Sequence, residues 1–359
     1  RDAKIEKIGD NAEINNIKKI LGLQTGKEYS NINDLRYGSV MIMTDQDVDG
    51  SHIKGLLINL FDSLWPNLIK LDGFITSMLT PVIKATKNKK SEWFYTIADY
   101  DKWKNNNKKG WEIKYYKGLG TSTSKEAKEY FEELKIVKYQ IGDSCKNAID
   151  KAFNKNRSDD RKDWLKSHNK EDVLDSNQQV VSCSEFIEKD LIQFSVEDTA
   201  RSIPSIMDGL KISQRKILYS AFKRNLKKEI RVAQFAGYVS EHSAYHHGET
   251  SLQGAIVGMA QNFVGSNNIN VLKPNGQFGT RLMGGKDSAS CRYIHTELCD
   301  ITSTIFKKDD EQVLKYLDDD GYLVEPEFYV PILPLILING AIGIGTGFST
   351  NIPCFNPKD

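Results

Sequence analysis

Two short stretches carry residue types that could do chemistry. Lys286-Asp-Ser-Ala-Ser-Cys-Arg-Tyr-Ile294 places a tyrosine directly after an arginine, behind glycines at 276, 279, 284 and 285. Such a glycine run reads as a tight loop or wing. Tyrosine is a poor nucleophile at neutral pH. It improves when a cation lowers the cost of the phenolate and a metal polarises the target. Arg292 is such a cation for Tyr293, although the pair alone also fits a surface tyrosine with a solvated neighbour. Far upstream lies Asp45-Gln-Asp47-Val-Asp49-Gly50. Alternate residues of an extended chain point the same way, so these three carboxylates can converge as hard oxygen ligands for Mg²⁺. The spacing also opens like a calcium loop, but the twelfth position is Leu56 instead of glutamate, and a strand is expected in front. Helix capping by one aspartate explains one carboxylate and not three.

The elements around the carboxylates follow from apolar spacing. Ile14, Ile17, Ile20 and Leu21 repeat at helical intervals. Ser39-Val-Met-Ile-Met-Thr44 is a continuous apolar run, expected to be a strand buried on both faces. Ile53, Leu56, Leu57, Leu60, Phe61 and Leu64 then give a helix that Pro66 ends. Strand, acidic turn and helix make a βα unit, whose active sites lie at strand C-termini. Further on, Tyr115-Tyr-Lys117-Gly-Leu-Gly120 is a cationic turn, and Thr123-x-x-Glu126 is a capping box. Residues 137–190 are polar and mixed in charge, and read as a connector.

The second half is basic. Residues 201–231 hold nine Lys or Arg against two Asp or Glu, which fits a solvated helix face or a phosphate-binding surface. A helix-turn-helix is expected: Val196, Ala200 and Ile203 on one face, a turn at Asp208-Gly209, then a basic helix from Ser213 through Arg215 and Lys216 to Arg224. A second connector precedes Tyr245-His-His247-Gly-Glu249, which leads into an amphipathic helix and then the wing. Two adjacent histidines are too few for a metal site.

The 359 residues allow two or three domains, and 39% hydrophobic content supports real cores. The net charge of +1 implies no partner by itself. Five cysteines without C-x-x-C spacing argue against zinc and for a reducing compartment. No apolar run is long enough to span a bilayer. The chain opens on Arg1 and reads as a piece of a longer protein.

Asp45-Gln-Asp-Val-Asp-Gly-Ser-His52 with Lys117-Gly-Leu-Gly-Thr-Ser122 resembles the Toprim domain of type IIA DNA topoisomerases, in the eukaryotic topoisomerase II form. The Arg292-Tyr293 half resembles the winged-helix domain of the same enzymes, and Glu325 to Gly347 the start of their tower domain. The resemblance covers nearly the whole chain. It implies a Toprim α/β domain with a parallel sheet over 1–136, a linker over 137–190, a winged-helix domain over 191–308 and the start of a β-rich tower over 309–359. It further implies transient double-strand DNA breakage, with Tyr293 as the nucleophile and Arg292 stabilising charge on the phosphate. Mg²⁺ would sit on Asp45, Asp47 and Asp49. Arg161, Lys162, Lys211, Arg215, His246, His247 and Lys286 would line duplex DNA, and Ile344 would wedge between base pairs. In the full-length enzyme the resemblance implies a nuclear homodimer with ATP-driven duplex passage, the ATP bound by a region not in this sequence.

One element of the family pattern is missing: the glutamate of an upstream Glu-Gly-Asp-Ser motif. Ile141-Gly-Asp-Ser144 has isoleucine for glutamate and lies downstream of the aspartates. By itself this piece is therefore expected to bind duplex DNA and to cleave it poorly. A Toprim nuclease or primase would lack the Arg-Tyr wing, a plain winged-helix binder would leave the aspartates idle, and a tyrosine recombinase would use several arginines and no carboxylate cluster.

Overall fold

The computed structural model describes residues 4–359 apart from 89, 107–109, 117, 133, 170, 171, 176, 177 and 320. The chain divides into two units, Arg1–Glu197 and Asp198–Asp359, each with its own apolar core.

In the first unit a four-stranded sheet runs in the order β1 (Val40–Ile42), β2 (Ile75–Met78), β6 (Ile136–Gln140) and β7 (Val180–Ser182). The pairs β1–β2 and β6–β7 are parallel, and one antiparallel seam, β2–β6, joins them. A second, antiparallel sheet is formed by β3 (Ile83–Lys87) between β4 (Lys90–Phe94) and β5 (Glu112–Tyr115). The expectation that the 39–44 run is buried on both faces does not hold. β1 is an edge strand with only Ile42 buried, and Met43 is exposed.

Helix α1 (Ala12–Leu21) starts at Asn11, whose side chain accepts the Ile14 N–H, and ends at the left-handed Gly22. Helix α2 (Val48–Leu64) follows the aspartate turn directly. Its buried side is Gly50, Ser51, Lys54, Gly55, Ile58 and Phe61, whereas Ile53 is exposed. Small residues sit where contact is tightest, since a Cβ at Gly55 would lie 3.1 Å from the Phe153 ring. A pattern built from large apolar side chains therefore misjudges the phase of this helix.

The stretch 137–190 is not a connector. It supplies most of β6, all of β7, and helices α4 (Asp143–Phe153) and α5 (Ser158–Lys166). Cys145, Ile149, Phe153, Trp164, Val181 and Phe186 lie in the first unit's core. β6 alternates exposed and buried residues, so half of it is polar and its average composition resembles a linker.

The capping box is formed as expected on helix α3 (Ser124–Glu132). Glu126 N–H donates to Thr123 Oγ1 at 3.3 Å, and Thr123 N–H donates to Glu126 Oε2 at 2.8 Å. Glu126 is buried and also accepts from Lys114 and Tyr116. Burial alone would raise its pKa, but these donors outweigh it and hold the carboxyl at about 2, below the ordinary 4.5. A depressed folded-state value contributes stability that is fully present above pH 4.5 and lost as the pH falls towards about 2. Glu126→Gln should therefore cost about 1–3 kcal/mol at neutral pH. In urea titrations run across pH, the difference from the parent should shrink progressively below pH 4.5. A difference independent of pH would remove the ionic component.

In the second unit, α6 (Ile192–Ser202), which begins before the boundary, leads through a turn to α7 (Ile212–Lys223). Helix α8 (Val232–His242) fills the stretch expected to be a second connector, and α9 (Glu249–Ala260) follows. Ile217, Leu218, Phe235, Val239, Leu252 and Ile256 close the core between α7, α8 and α9. A two-residue ladder, β8 (Ile230–Arg231) with β9 (His295–Thr296), joins the region of Tyr293 to the start of α8. Two hairpins complete the unit, β10 (Tyr316–Asp319) with β11 (Tyr322–Pro326), and β12 (Ala341–Ile344) with β13 (Ser349–Ile352). Residues 309–359 cluster with the rest of this unit.

Candidate active site

Tyr293 is 71% exposed on a turn in which its N–H donates to Ser290 O at 2.9 Å. The turn is held from both sides by the first residues of α8. Val232 N–H donates to Ile294 O at 3.0 Å, and Ala233 N–H donates to Cys291 O at 3.1 Å. The first amides of a helix have no partners within it, so here they become fixed clamps for the backbone that flanks Arg292 and Tyr293. Ile294, 2% exposed, anchors the turn in the core. The Arg292 guanidinium lies 5.8 Å from the Tyr293 ring centroid. An exposed phenol on a braced backbone, beside a guanidinium, has the requirements of a nucleophile for an anionic substrate.

The wing next to it is folded tightly on itself. Thr280 donates to Asp287 through both its N–H and Oγ1, each at 2.8 Å, which holds the Asp287 carboxyl below its usual range. Gln261 donates to Phe278 O at 2.9 Å, tying the wing to the end of α9. Arg281 and Lys286 are exposed on it, with Leu282 at 92% exposure between them. His246 and His247 are exposed before α9, His246 lying 3.5 Å from Asp319 and His247 edge-on to Tyr245. Lys211 is the half-buried N-cap residue of α7, and Lys162 pairs with Asp159 at 2.7 Å.

Two residues expected at the DNA surface belong to the interior instead. Arg215 is 5% exposed, and its Nε and Nη2 donate to Asp208 at 2.7 and 3.0 Å, with Nη2 also donating to Leu210 O. Asp208, 0% exposed, additionally accepts from the Leu210 and Tyr329 amides. Arg161 is 3% exposed and donates to the carbonyls of Lys151 and Asn154. Lys216 likewise turns to Glu325, at 2.8 Å. Charge counting along α7 thus overstates its outward face, because its cations meet carboxylates from elsewhere in the unit. The exposed cations of this region lie beyond it, at Lys223, Arg224, Lys227, Lys228 and Arg231. Sequence reading takes Asp208 as a turn residue. Its i, i+7 spacing to Arg215 is the available signal, and only the turn geometry makes it meaningful.

The aspartates lie at a strand-to-helix turn but do not project as alternate residues of a strand. β1 ends at Ile42, so the extended chain stops short of them. Asp47 is the N-cap of α2, its Oδ1 accepting the Gly50 N–H at 2.7 Å, and Asp49 is already in the first helical turn. Asp45 Oδ1 accepts the Leu119 N–H at 2.7 Å, bringing the glycine turn onto the acidic one. Gly118 is required there, since a Cβ would lie 2.9 Å from Asp45 Oδ2. Lys117 lies outside the described residues. Hard oxygen donors suit Mg²⁺. Among the described residues, however, no three acidic, histidine or cysteine side chains form a group able to hold an ion. The three-carboxylate convergence expected from alternation is therefore not formed.

Ile344 stands 77% exposed at the end of β12, opposite Ser349. No helix among the described residues is long and apolar enough to cross a membrane.

An α/β unit with an acidic strand-to-helix turn, and a helical unit bearing a braced Arg-Tyr pair, define a class that comparison with known proteins identifies. Residues 78–199 match the family described as the C-terminal associated domain of TOPRIM, and residues 201–359 match the DNA gyrase/topoisomerase IV family. The chain is 55% identical over 357 residues to "Probable DNA topoisomerase 2" of Dictyostelium discoideum, covering 98% of this chain and 24% of that protein. It is 54% identical over 367 residues to DNA topoisomerase 2 of Arabidopsis thaliana, covering 100% of this chain and 25% of that one. A crystal structure of the Plasmodium falciparum topoisomerase II DNA-binding, cleavage and re-ligation domain superposes with a TM-score of 0.79 at 52% identity, covering 100% of this chain and 50% of that chain. The chain belongs to the type IIA DNA topoisomerase family, in its eukaryotic topoisomerase II branch. It spans about a quarter of the length of these curated relatives.

Proposed function

We propose that this chain is the DNA cleavage and religation core of a type II topoisomerase. The observation that carries the reading is the exposed Tyr293 on a turn clamped by the α8 amides, with Arg292 alongside. Tyr293 Oη attacks a backbone phosphorus of duplex DNA. The new P–O bond forms as the bond to the 3′ oxygen breaks, leaving the 5′ end esterified to the protein. The phenol gives up its proton and the leaving 3′ oxygen gains one, so the step is neutral overall and reversible without a further cofactor. Arg292 offsets charge on the reacting phosphate. Lys286, His246, His247, Lys211 and Lys162 meet the DNA backbone, while Arg161 and Arg215 support the fold beneath it. Ile344 enters the base stack and bends the duplex.

The family's Mg²⁺ dependence is assigned to the turn carrying Asp45, Asp47 and Asp49, with the ligand set completed from outside the described residues. When bound, the ion neutralises the phosphate and the leaving oxygen. The full-length protein is read as a nuclear homodimer that couples ATP hydrolysis, in a region outside this sequence, to duplex passage.

The test is to incubate the full-length protein with supercoiled plasmid and Mg²⁺, then denature. Linear DNA with protein on its 5′ ends is expected, and EDTA should prevent it. Attachment at 3′ ends, or cleavage without attachment, would overturn the reading. DNA binding by the chain should weaken with salt at a log–log slope of about 0.9 per phosphate neutralised. Lys286→Ala should reduce that slope, and Arg215→Ala should not do so in the protein that remains folded.

A further inference from the structure

Ile344 is not the only apolar side chain presented by its hairpin. Ile342 is 65% exposed two residues earlier on β12. Residues i and i+2 of a strand face the same way, and at about 3.4 Å per residue their side chains stand about 7 Å apart. The register places Asn351 opposite Ile342 and Ser349 opposite Ile344, and both are exposed. This face therefore carries two isoleucines on one strand, two neutral hydrogen-bonding residues on the other, and no charge.

The reverse face fixes its direction. Gly343 is buried, and a Cβ there would collide with the Ser202 carbonyl oxygen. At Gly345 a Cβ would lie 2.9 Å from the Thr199 Cα. Thr346 donates to Asp198 Oδ2 at 3.0 Å and to Thr199 Oγ1 at 3.2 Å. The strand lies flush on the end of α6, so it cannot roll to bury the isoleucines.

We propose that Ile342 acts with Ile344 as a two-residue apolar wedge on duplex DNA. The inference rests on the reading of Ile344 given above. Stacked bases rise about 3.4 Å along a strand, so a spacing of about 7 Å corresponds to two base steps. With Ile344 inserted in one step, Ile342 meets the sugar and base edges about two pairs away and props that part of the groove open. An apolar residue suits those edges, and the neutral Asn351 and Ser349 add no charge that would oppose the approach of phosphates.

The full-length protein and two variants test this on end-labelled duplexes, with 2-aminopurine placed at the bent step or two pairs from it. Both side chains are exposed, so Ile342→Ala and Ile344→Ala should melt like the parent. Ile344→Ala should lose the bend in energy transfer and the 2-aminopurine signal at the central step. Ile342→Ala should keep the central signal, lose the one two pairs away, and bind roughly three- to tenfold more weakly. Ile342→Leu should restore binding. If Ile344→Ala loses the bend while Ile342→Ala matches the parent in affinity and in both signals, Ile342 is not part of the wedge. An unchanged bend with Ile344→Ala would instead remove the wedge reading itself, and this inference with it.

Discussion

Tyr293→Phe in the full-length protein is expected to abolish the covalent protein–DNA adduct while leaving duplex binding intact. The substitution removes one oxygen from a side chain that is 71% exposed, so nothing in the core depends on it. Stability should shift by no more than about 0.5 kcal/mol. No neighbouring hydroxyl or thiol takes the same place. Cys291 is half-buried and its carbonyl is held by Ala233, and burial pushes its thiol up, away from the thiolate. Denaturing gels after reaction with labelled duplex should show adduct for the parent and none for the variant, at equal affinity measured by anisotropy. An adduct with the Phe variant would place the nucleophile elsewhere.

The second large effect is on stability. Arg215→Ala leaves Asp208, which is 0% exposed, with its charge buried and its main cation gone. Breaking a buried pair from one side costs about 3–5 kcal/mol. For a unit of this size that corresponds to a fall of roughly 10 °C in melting temperature. Scanning calorimetry of the second unit's transition should show it. Replacing both members with apolar residues of similar volume should recover much of the loss, since the desolvation cost of both charges disappears together. The opposite pattern, an unchanged transition with weaker DNA binding, would return Arg215 to the DNA surface.

These residues show where the sequence is legible. The Thr123–Glu126 box is readable because donor and acceptor lie three residues apart and the helix supplies the geometry. Tyr293 and Arg292 are readable as a pair because they are adjacent, but the α8 clamp on their turn is not, since Val232 and Ala233 lie about sixty residues upstream. Arg215 and Arg161 look like surface cations because a basic residue carries no mark of what it will face. Only the fold brings Asp208 to one and the Lys151 and Asn154 carbonyls to the other. Alternation places the three aspartates on one side only if the strand continues. It ends at Ile42, and the capping role of Asp47 takes over. Residues 137–190 mislead for a related reason: short half-buried strands have the composition of linkers, and only pairing in the sheet distinguishes them.

The clamp on the tyrosine turn also bears on the fate of a broken strand. Once the 5′ phosphate is esterified to Tyr293, the DNA end is anchored to a backbone fixed at Cys291 and Ile294, on either side of the attachment point. The side chain's two torsions then set most of its remaining local freedom. If the 3′ hydroxyl is held equally well, resealing becomes an intramolecular reaction, for which well-oriented groups reach effective concentrations of about 10⁵–10⁸ M. Water, at a concentration of tens of molar and without orientation, competes poorly for the same phosphorus. On this view the two helix amides protect the genome: they keep a reversible ester from decaying into a permanent double-strand break.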